Sequence, residues 1–100
     1  MSVDLGVVIL NWNTRDLLRA CLHSVFEAHG PVTYTVCVVD NASTDGSAAM
    51  VQAEFPQVHV LESPVNGGYA AGNNLGLRAL GFGPGRDDGP RFALLLNPDT

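Results

Sequence analysis

The chain contains four short runs of apolar residues, separated by longer segments in which apolar residues recur at helical spacing. The runs cover residues 5–10, 36–39, 58–61 and 92–96. They are continuous rather than alternating, which is typical of strands buried on both faces of a parallel sheet. Valine and isoleucine dominate the first two runs, and β-branched side chains favour strands over helices. The pattern therefore predicts four buried strands.

Helices are predicted in the segments between these strands. The first helix begins after Asn13 and Thr14, which can cap a helix, and ends at the His-Gly-Pro sequence of residues 29–31. The last helix covers residues 68–80. It is followed by a surface loop rich in glycine, proline and aspartate at residues 81–90.

The middle helix is expected to begin at Ser43 or Thr44, to carry Asp45 in its first turn and to end before Pro56. The predicted order is therefore β-α-β-α-β-α-β. Because such crossovers are right-handed, this order gives an α/β fold: a Rossmann-like parallel sheet with helices on both faces.

The composition excludes several classes of protein. Hydrophobic residues make up 46% and charged residues 15% of the chain, which excludes intrinsic disorder. The net charge is −5 and all five basic residues are arginine, so no nucleic-acid partner is expected, because phosphate binding needs clustered basic side chains. Cys21 and Cys37 are too few for a disulfide framework. We expect them to be buried thiols of a cytoplasmic protein.

Polar residues follow each apolar run, at the carboxyl edge of the predicted sheet, where ligands bind in such folds. Asp40 could hydrogen-bond a ribose hydroxyl or a base N–H there, or form an ordinary Asx turn. Asp99, with substrate phosphates, could bind Mg²⁺ or Mn²⁺, or belong to a plain Asn-Pro-Asp turn. Trp12, the only tryptophan, could stack on a nucleobase or pack against the protein.

Two common phosphate-binding motifs are excluded. A P-loop needs a lysine after its glycines, and the chain has no lysine. A nicotinamide dinucleotide site needs glycines directly after the first strand, where this chain has none. The glycines lie instead in residues 66–76, which open the last helix. Its free N–H groups would favour an anion, and the missing side chains would let a ligand approach the backbone.

Together these segments resemble the amino-terminal half of a family 2 glycosyltransferase with the GT-A fold. The matching blocks are the opening strand with its turn, the second-strand signature, and the helix start with a DXD-type metal motif. They read VVILNWN at residues 7–13, VVDNASTDGS at 38–47, and NGGYAAGNNLG at 66–76 followed by LLNPD at 95–99. The Asn-Pro-Asp form of the metal motif is similar to that of rhamnosyltransferase-like members.

The resemblance implies an inverting enzyme of bacterial polysaccharide synthesis. It would transfer a sugar from a nucleotide diphosphate-sugar donor to the hydroxyl of a glycan or lipid-linked acceptor. Asp40 would contact the base or ribose, Trp12 would pack on the base, and Asn66 and Asn73 would lie near the ribose and diphosphate. The full set of donor-binding residues that the resemblance implies is Asn11, Trp12, Asn13, Asp40, Asn66, Gly67, Asn73 and Asn97.

By the same resemblance, Asp99 would bind a divalent metal, Mg²⁺ or Mn²⁺, which stabilises the charge that grows on the departing diphosphate. The motif begins with Asn97 instead of aspartate, and a neutral carbonyl oxygen implies weaker metal binding. The family's catalytic base, a carboxylate, lies further along than residue 100, so no catalytic residue is assigned.

We therefore expect residues 1–100 to be the nucleotide-sugar-binding half of a longer GT-A domain, inactive alone. The full-length enzyme would be cytoplasmic or peripheral to the inner membrane. An uncovered sheet edge or apolar helix faces would favour a homodimer.

Two other functions remain open. A sugar-1-phosphate nucleotidyltransferase uses a related fold, but it needs a glycine-rich, basic loop after the first strand, where this chain has one cation, Arg15, and no glycine. A non-catalytic nucleotide-binding or interaction module is the alternative if these residues form the complete protein. Metal-dependent binding of a nucleotide diphosphate would distinguish the transferase from the module.

Overall fold

The computed structural model describes residues 5–27, 33–63, 69–81, 90 and 92–98. Over these residues, strands and helices alternate in the predicted order. None of the described helices is both long and apolar enough to cross a lipid bilayer. The elements are β1 (Leu5–Asn11), α1 (Arg15–Glu27), β2 (Tyr34–Asn41), α2 (Ser47–Glu54), β3 (His59–Ser63), α3 (Tyr69–Ala79) and β4 (Phe92–Leu96).

The four strands form one parallel sheet in the order β3-β2-β1-β4. The central strand β1 pairs with β2 so that Asn11 lies opposite Asp40, and with β4 so that Ile9 lies opposite Leu96. The carboxyl ends of β1, β2 and β4 therefore reach the same edge of the sheet, which we call the carboxyl edge.

Alternate side chains of β1 and β2 enter two cores on opposite faces of the sheet. Val8, Cys37 and Val39 are buried on the face covered by α3, with Leu77 packed against them. The larger core lies on the face covered by α1 and α2. It consists of Val7, Ile9, Leu18, Leu22, Val36, Val38, Met50, Val51, Phe55 and Val58. The predicted α/β class with helices on both faces is confirmed.

The predicted start of α2 is wrong. The helix begins at Ser47, and Asp45 precedes it instead of lying in its first turn. Gly46 directly precedes the helix and has a left-handed φ of 82°. This conformation is not that of a right-handed helix, so the helix begins after Gly46. The capping residues that the sequence offers at 43–45 bind the neighbouring loop, as described below.

Burial of β4 on both faces, as predicted from its apolar run, is also wrong. The exposed fractions are 64% for Phe92, 43% for Leu94 and 40% for Leu95. Among the described elements, β4 lies at the end of the sheet order and pairs with β1, beyond the area that the helices cover. An exposed apolar edge favours association, and the predicted homodimer through this edge stays a prediction.

Two glycines of α3 bring the helix close to the sheet. A Cβ on Gly76 would lie 2.5 Å from Val8 Cγ1 and 3.1 Å from Val39 Cγ2. A Cβ on Gly72 would lie 2.2 Å from Leu10 Cδ1. All three distances are below van der Waals contact, so a side chain at either position would have to displace residues of the sheet. The sequence interpretation that these glycines open the backbone to a ligand is wrong for Gly72 and Gly76, which serve helix–sheet packing.

Both cysteines are free thiols, as predicted. Cys37 is buried under α3, and burial raises its pKa to about 11, so it stays protonated and unreactive at neutral pH. Cys21 is only half-buried, against the expectation that both would be buried, and burial raises its pKa as well.

Other predictions concern residues outside the described ranges. They include the helix stop at residues 29–31, most of the loop at 81–90, and the beginning of the glycine-rich segment. The described ends of the last loop, Gly81 and Pro90, are both buried.

Candidate functional site

Asn11 and Asp40 form a buried polar pair at the carboxyl edge. They are opposite residues of β1 and β2, with exposed fractions of 0% and 4%. Asn11 Nδ2 donates to Asp40 Oδ1 at 2.9 Å, and Thr14 Oγ1 donates to Asn11 Oδ1 at 2.6 Å. Buried polar groups are stable when they are hydrogen-bonded. The register of β1 with β2 places Asn11 opposite Asp40, where the two side chains can form that bond.

The second carboxylate oxygen of Asp40 also has a partner within the protein. Oδ2 accepts from the backbone N–H of Ser43, three residues further along, at 3.1 Å, which closes a local turn in the manner of a helix-cap side chain. Ala42, within this turn, has a left-handed φ of 59°. The turn alternative considered for Asp40 is therefore present. A contact from Asp40 to a base or ribose stays a prediction, and it would use the remaining lone pairs of these oxygens.

The loop after β1 and the loop after β2 are joined by hydrogen bonds that run in both directions. Ser43 Oγ accepts from the backbone N–H of Asn13 at 2.9 Å and from Asn11 Nδ2 at 3.3 Å. Asn13 Oδ1 accepts from the backbone N–H of Thr44 at 2.8 Å. Asn13 itself has a left-handed φ of 51°.

Asp45 makes the next contact between the two loops. Its Oδ2 accepts from the backbone N–H of Arg15 at 3.0 Å, and Arg15 Nη1 donates to the Asp45 carbonyl oxygen at 3.1 Å. Asp45 Oδ1 accepts from the N–H and the hydroxyl of Ser47. Burial would raise the pKa of Asp45, but the hydrogen bonds from Ser47 and Arg15 outweigh burial and lower it. The carboxylate is therefore ionised at neutral pH.

Trp12 lies between these anchored residues and is 56% exposed. An open groove of about 470 Å³ is lined by residues 13–17, which follow Trp12 in the chain, and by Asp45. An exposed aromatic side chain on a loop held at both ends provides a surface on which a flat ring can stack.

The face of the carboxyl edge under α3 carries two buried carboxamides. Asn41 ends β2 and is 3% exposed, and its Nδ2 lies 3.2 Å from the place a Cβ on Gly72 would occupy. Asn73, the next residue of α3, is 4% exposed, and neither atom of its amide has a hydrogen-bond partner within the described part of the chain. A buried amide without a partner costs about 1–3 kcal/mol, so a polar group that bonded the Asn73 amide would recover part of that cost.

The sequence interpretation did not include Asn41 among the site residues. Successive strand residues point to opposite faces of a sheet. If Asp40 belongs to β2, Asn41 is therefore expected on the opposite face, and this alternation is the sequence signal that could have identified it. Asn73 was predicted, and its burial is the observation that the sequence could not provide.

Asn97 directly follows β4 and is half-buried at the carboxyl edge. Asn66, Gly67 and Asp99 lie outside the described residues, so their predicted roles stay predictions. In the described ranges, no three His, Cys, Asp or Glu side chains lie close enough together to hold a metal ion.

Comparison with known proteins gives a family match and similar folds. The model of the family described as "Glycosyl transferase family 2" matches residues 6–81. No curated protein sequence matches the chain significantly. The 1–349 segment of TarS from S. aureus matches with a TM-score of 0.77 at 22% identity, over 96% of this chain and 27% of that chain.

A second similar structure is the mannosyltransferase PcManGT from Pyrobaculum calidifontis, solved in complex with GDP-Man and Mn²⁺. It matches with a TM-score of 0.69 at 27% identity, over 79% of this chain and 25% of that chain. The chain thus spans about a quarter of the length of these two proteins.

Proposed function

We propose that this chain, which belongs to glycosyl transferase family 2, forms the donor-binding part of an inverting glycosyltransferase. The enzyme would transfer a sugar from a nucleotide diphosphate-sugar to an acceptor hydroxyl. The observation that carries the proposal is the exposed ring of Trp12, on an anchored loop at the carboxyl edge, where ligands bind in parallel α/β sheets. The similarity to a mannosyltransferase solved with GDP-Man and Mn²⁺ supports it.

The base of the donor would stack on Trp12. The indole is 56% exposed, and stacking on a base contributes about 1–3 kcal/mol. Asn11 and Asn13 flank the tryptophan, and their side chains are already bonded within the protein, so their role would be to fix its backbone. Asp40 would fix the same turn and add a contact to the base or ribose through its free lone pairs.

The ribose and diphosphate would lie toward α3. The amide of Asn73, which has no partner among the described residues, offers both a donor and an acceptor, which suits a ribose hydroxyl or a phosphate oxygen. Asn66 and Gly67, from the segment before the helix, would contribute contacts beside it.

The proposal includes a divalent metal bound jointly with the diphosphate, and the similarity to a mannosyltransferase solved with Mn²⁺ supports it. Asp99 would hold Mg²⁺ or Mn²⁺ with help from the Asn97 carbonyl, and phosphate oxygens and water would complete the coordination, since the described residues alone form no ligand cluster. When bound, the metal supplies charge stabilisation to the diphosphate leaving group. We assign no catalytic base within these residues, and we place the acceptor contacts in other parts of the enzyme. On the basis of the Asn-Pro-Asp motif, we also propose that the donor sugar is of the rhamnose type.

The loop geometry favours this proposal over a sugar-1-phosphate nucleotidyltransferase. Such an enzyme would use free backbone N–H groups after the first strand to hold a triphosphate. Here the N–H groups of Asn13 and Arg15 already donate to Ser43 and Asp45. An anion would therefore have to displace two internal hydrogen bonds to bind at this loop.

Calorimetric titration with UDP, GDP and dTDP, with and without Mn²⁺, tests the proposed function. We expect binding of at least one of these nucleotides to tighten about tenfold or more in Mn²⁺, since the metal bridges carboxylate and diphosphate. Asp99→Ala should abolish the gain from Mn²⁺. Glu27→Ala removes an equal charge at the far end of α1 and should leave the gain intact. Equal binding with and without Mn²⁺ would instead favour a non-catalytic nucleotide-binding module.

A further inference from the structure

We propose that Ser43, Thr44 and Asp45 are positioning residues that hold the Trp12 loop in its binding conformation before the donor arrives. The inference rests on the proposed function, because it assigns the fixed conformation of that loop to nucleotide stacking. These residues, with their partners Asn13 and Arg15, are called the loop bridge below. From the sequence, the three bridge residues after β2 were expected only to start the middle helix, not to hold the Trp12 loop.

Four hydrogen bonds of the loop bridge connect the loop after β1 to the loop after β2. The N–H groups of Asn13 and Arg15, on either side of Thr14, donate to Ser43 Oγ and Asp45 Oδ2 at 2.9 and 3.0 Å. In the reverse direction, the N–H of Thr44 donates to Asn13 Oδ1 at 2.8 Å. The backbone that follows Trp12 is therefore held at alternate residues by the second loop.

The residue that precedes Trp12 is held by the same hydroxyl. Asn11 Nδ2 donates both to Asp40 Oδ1 and to Ser43 Oγ. Ser43 is thus the one described side chain that contacts both neighbours of Trp12, Asn11 and Asn13. Removal of its hydroxyl would release both sides of the tryptophan together.

The backbone conformation indicates that the bridge holds a geometry that the isolated loops would not favour. Asn13 and Ala42 have φ angles of 51° and 59°, in the left-handed region that residues other than glycine rarely adopt. Such conformations persist only when surrounding contacts determine them, and they concentrate at ligand sites. Asn13 donates its backbone N–H to Ser43 Oγ, and Ala42 directly precedes Ser43 in the chain.

A fixed tryptophan would improve donor affinity without a new contact. Binding to a mobile loop requires the loop to be ordered on each binding event, whereas a preorganised loop avoids that loss of entropy. The bridge contacts from Ser43, Thr44 and Asp45 to Asn13 and Arg15 lie at the exposed end of the sheet, outside both apolar cores. Their loss should therefore loosen the loop while the cores remain packed.

Ser43→Ala tests the proposal, with Ser43→Thr as the conservative variant that keeps the hydroxyl. Ser24→Ala is the matched control, because it removes an exposed hydroxyl from α1. Trp12 is the only tryptophan, so time-resolved fluorescence anisotropy reports its local motion directly, without nucleotide. Affinity for the tightest-binding of UDP, GDP and dTDP, in Mn²⁺, is measured on the same proteins.

We expect Ser43→Ala to increase the fast local motion of Trp12 and to weaken nucleotide binding about tenfold, through lost preorganisation. Ser43→Thr should restore both values, Ser24→Ala should change neither, and all variants should unfold at nearly the same temperature. Unchanged Trp12 motion in Ser43→Ala would overturn the proposal. So would a loss of affinity matched by a lower unfolding temperature that threonine does not rescue, because a purely structural role predicts that result.

The two proposals fail separately. If the unmodified protein binds none of the nucleotides, the proposed donor site fails, while the anisotropy of Ser43→Ala still decides whether the bridge holds Trp12. If the unmodified protein binds and Ser43→Ala binds equally well with an equally rigid tryptophan, the donor site stands and the loop bridge is rejected.

Discussion

Replacing Gly76 with alanine is expected to destabilise the fold by about 2 kcal/mol, since an overpacked core usually costs 1–3 kcal/mol. In an ordinary helix the same change stabilises by about 1 kcal/mol, because alanine has the higher helix propensity. The sign reverses here because the new methyl would lie 2.5 Å from Val8 Cγ1 and 3.1 Å from Val39 Cγ2. Both neighbours are branched at Cβ and fully buried, so they cannot rotate away.

Urea unfolding measures this change, and two further variants isolate its cause. Asn74→Ala, at an exposed position of the same helix, should stabilise slightly or have no effect. Val8→Ala should cost less in the Gly76→Ala protein than in the unmodified protein, with a coupling of about 1 kcal/mol, because it removes the atom that clashes. A Gly76→Ala protein as stable as the Asn74→Ala protein would show that α3 does not pack this closely.

Removal of the Asp40 side-chain oxygens is expected to cost about 3 kcal/mol of stability in Asp40→Ala, since removing one partner of a buried hydrogen-bonded pair leaves buried donors unsatisfied. The partners are Asn11 Nδ2 and the backbone N–H of Ser43, which donate to different oxygens of this side chain. Asp40→Asn keeps the shape and one acceptor oxygen, so it should cost less than Asp40→Ala.

A double-mutant cycle with Asn11→Ala separates the pair from the rest of the turn. The coupling between the two positions should be about 1 kcal/mol or more, because the second substitution removes the group that the first left unsatisfied. Ser24→Ala, at an exposed position of α1, serves as a control for the loss of a polar side chain outside the pair. Additive effects of Asn11→Ala and Asp40→Ala would contradict the buried pair.

The sequence predicted the strands, their order and the fold class because continuous apolar runs and short connections leave few alternatives. It placed the ends of β1 and β2 too early. Asn11, Asp40 and Asn41 belong to these strands although they are polar, and the hydrogen bond from Asn11 to Asp40 makes this burial possible. A hydrophobic pattern contains no information about that pairing.

The candidate site was predicted in part. Trp12 and Asp40 lie at the predicted edge, but Ser43 and Asp45 were interpreted as local helix-start residues. Their partners, Asn13 and Arg15, lie 30 residues away in the chain. Local helix-start rules cannot detect a partner at that distance. The packing role of Gly72 and Gly76 was missed for the same reason, because it depends on side chains of β1 and β2.

The most direct test of the central claim is the broadening of amide NMR signals by Mn²⁺ in the presence of a nucleotide diphosphate. Paramagnetic broadening falls steeply with distance, so it locates the bound metal and nucleotide on the protein. We predict that the signals of Asn97 and of the Trp12 loop broaden when Mn²⁺ and nucleotide are both present. Signals at Glu27 and Glu54, at the far ends of α1 and α2, should stay sharp. Broadening centred on Glu27 or Glu54, with the Trp12 loop unaffected, would contradict a donor site at the carboxyl edge.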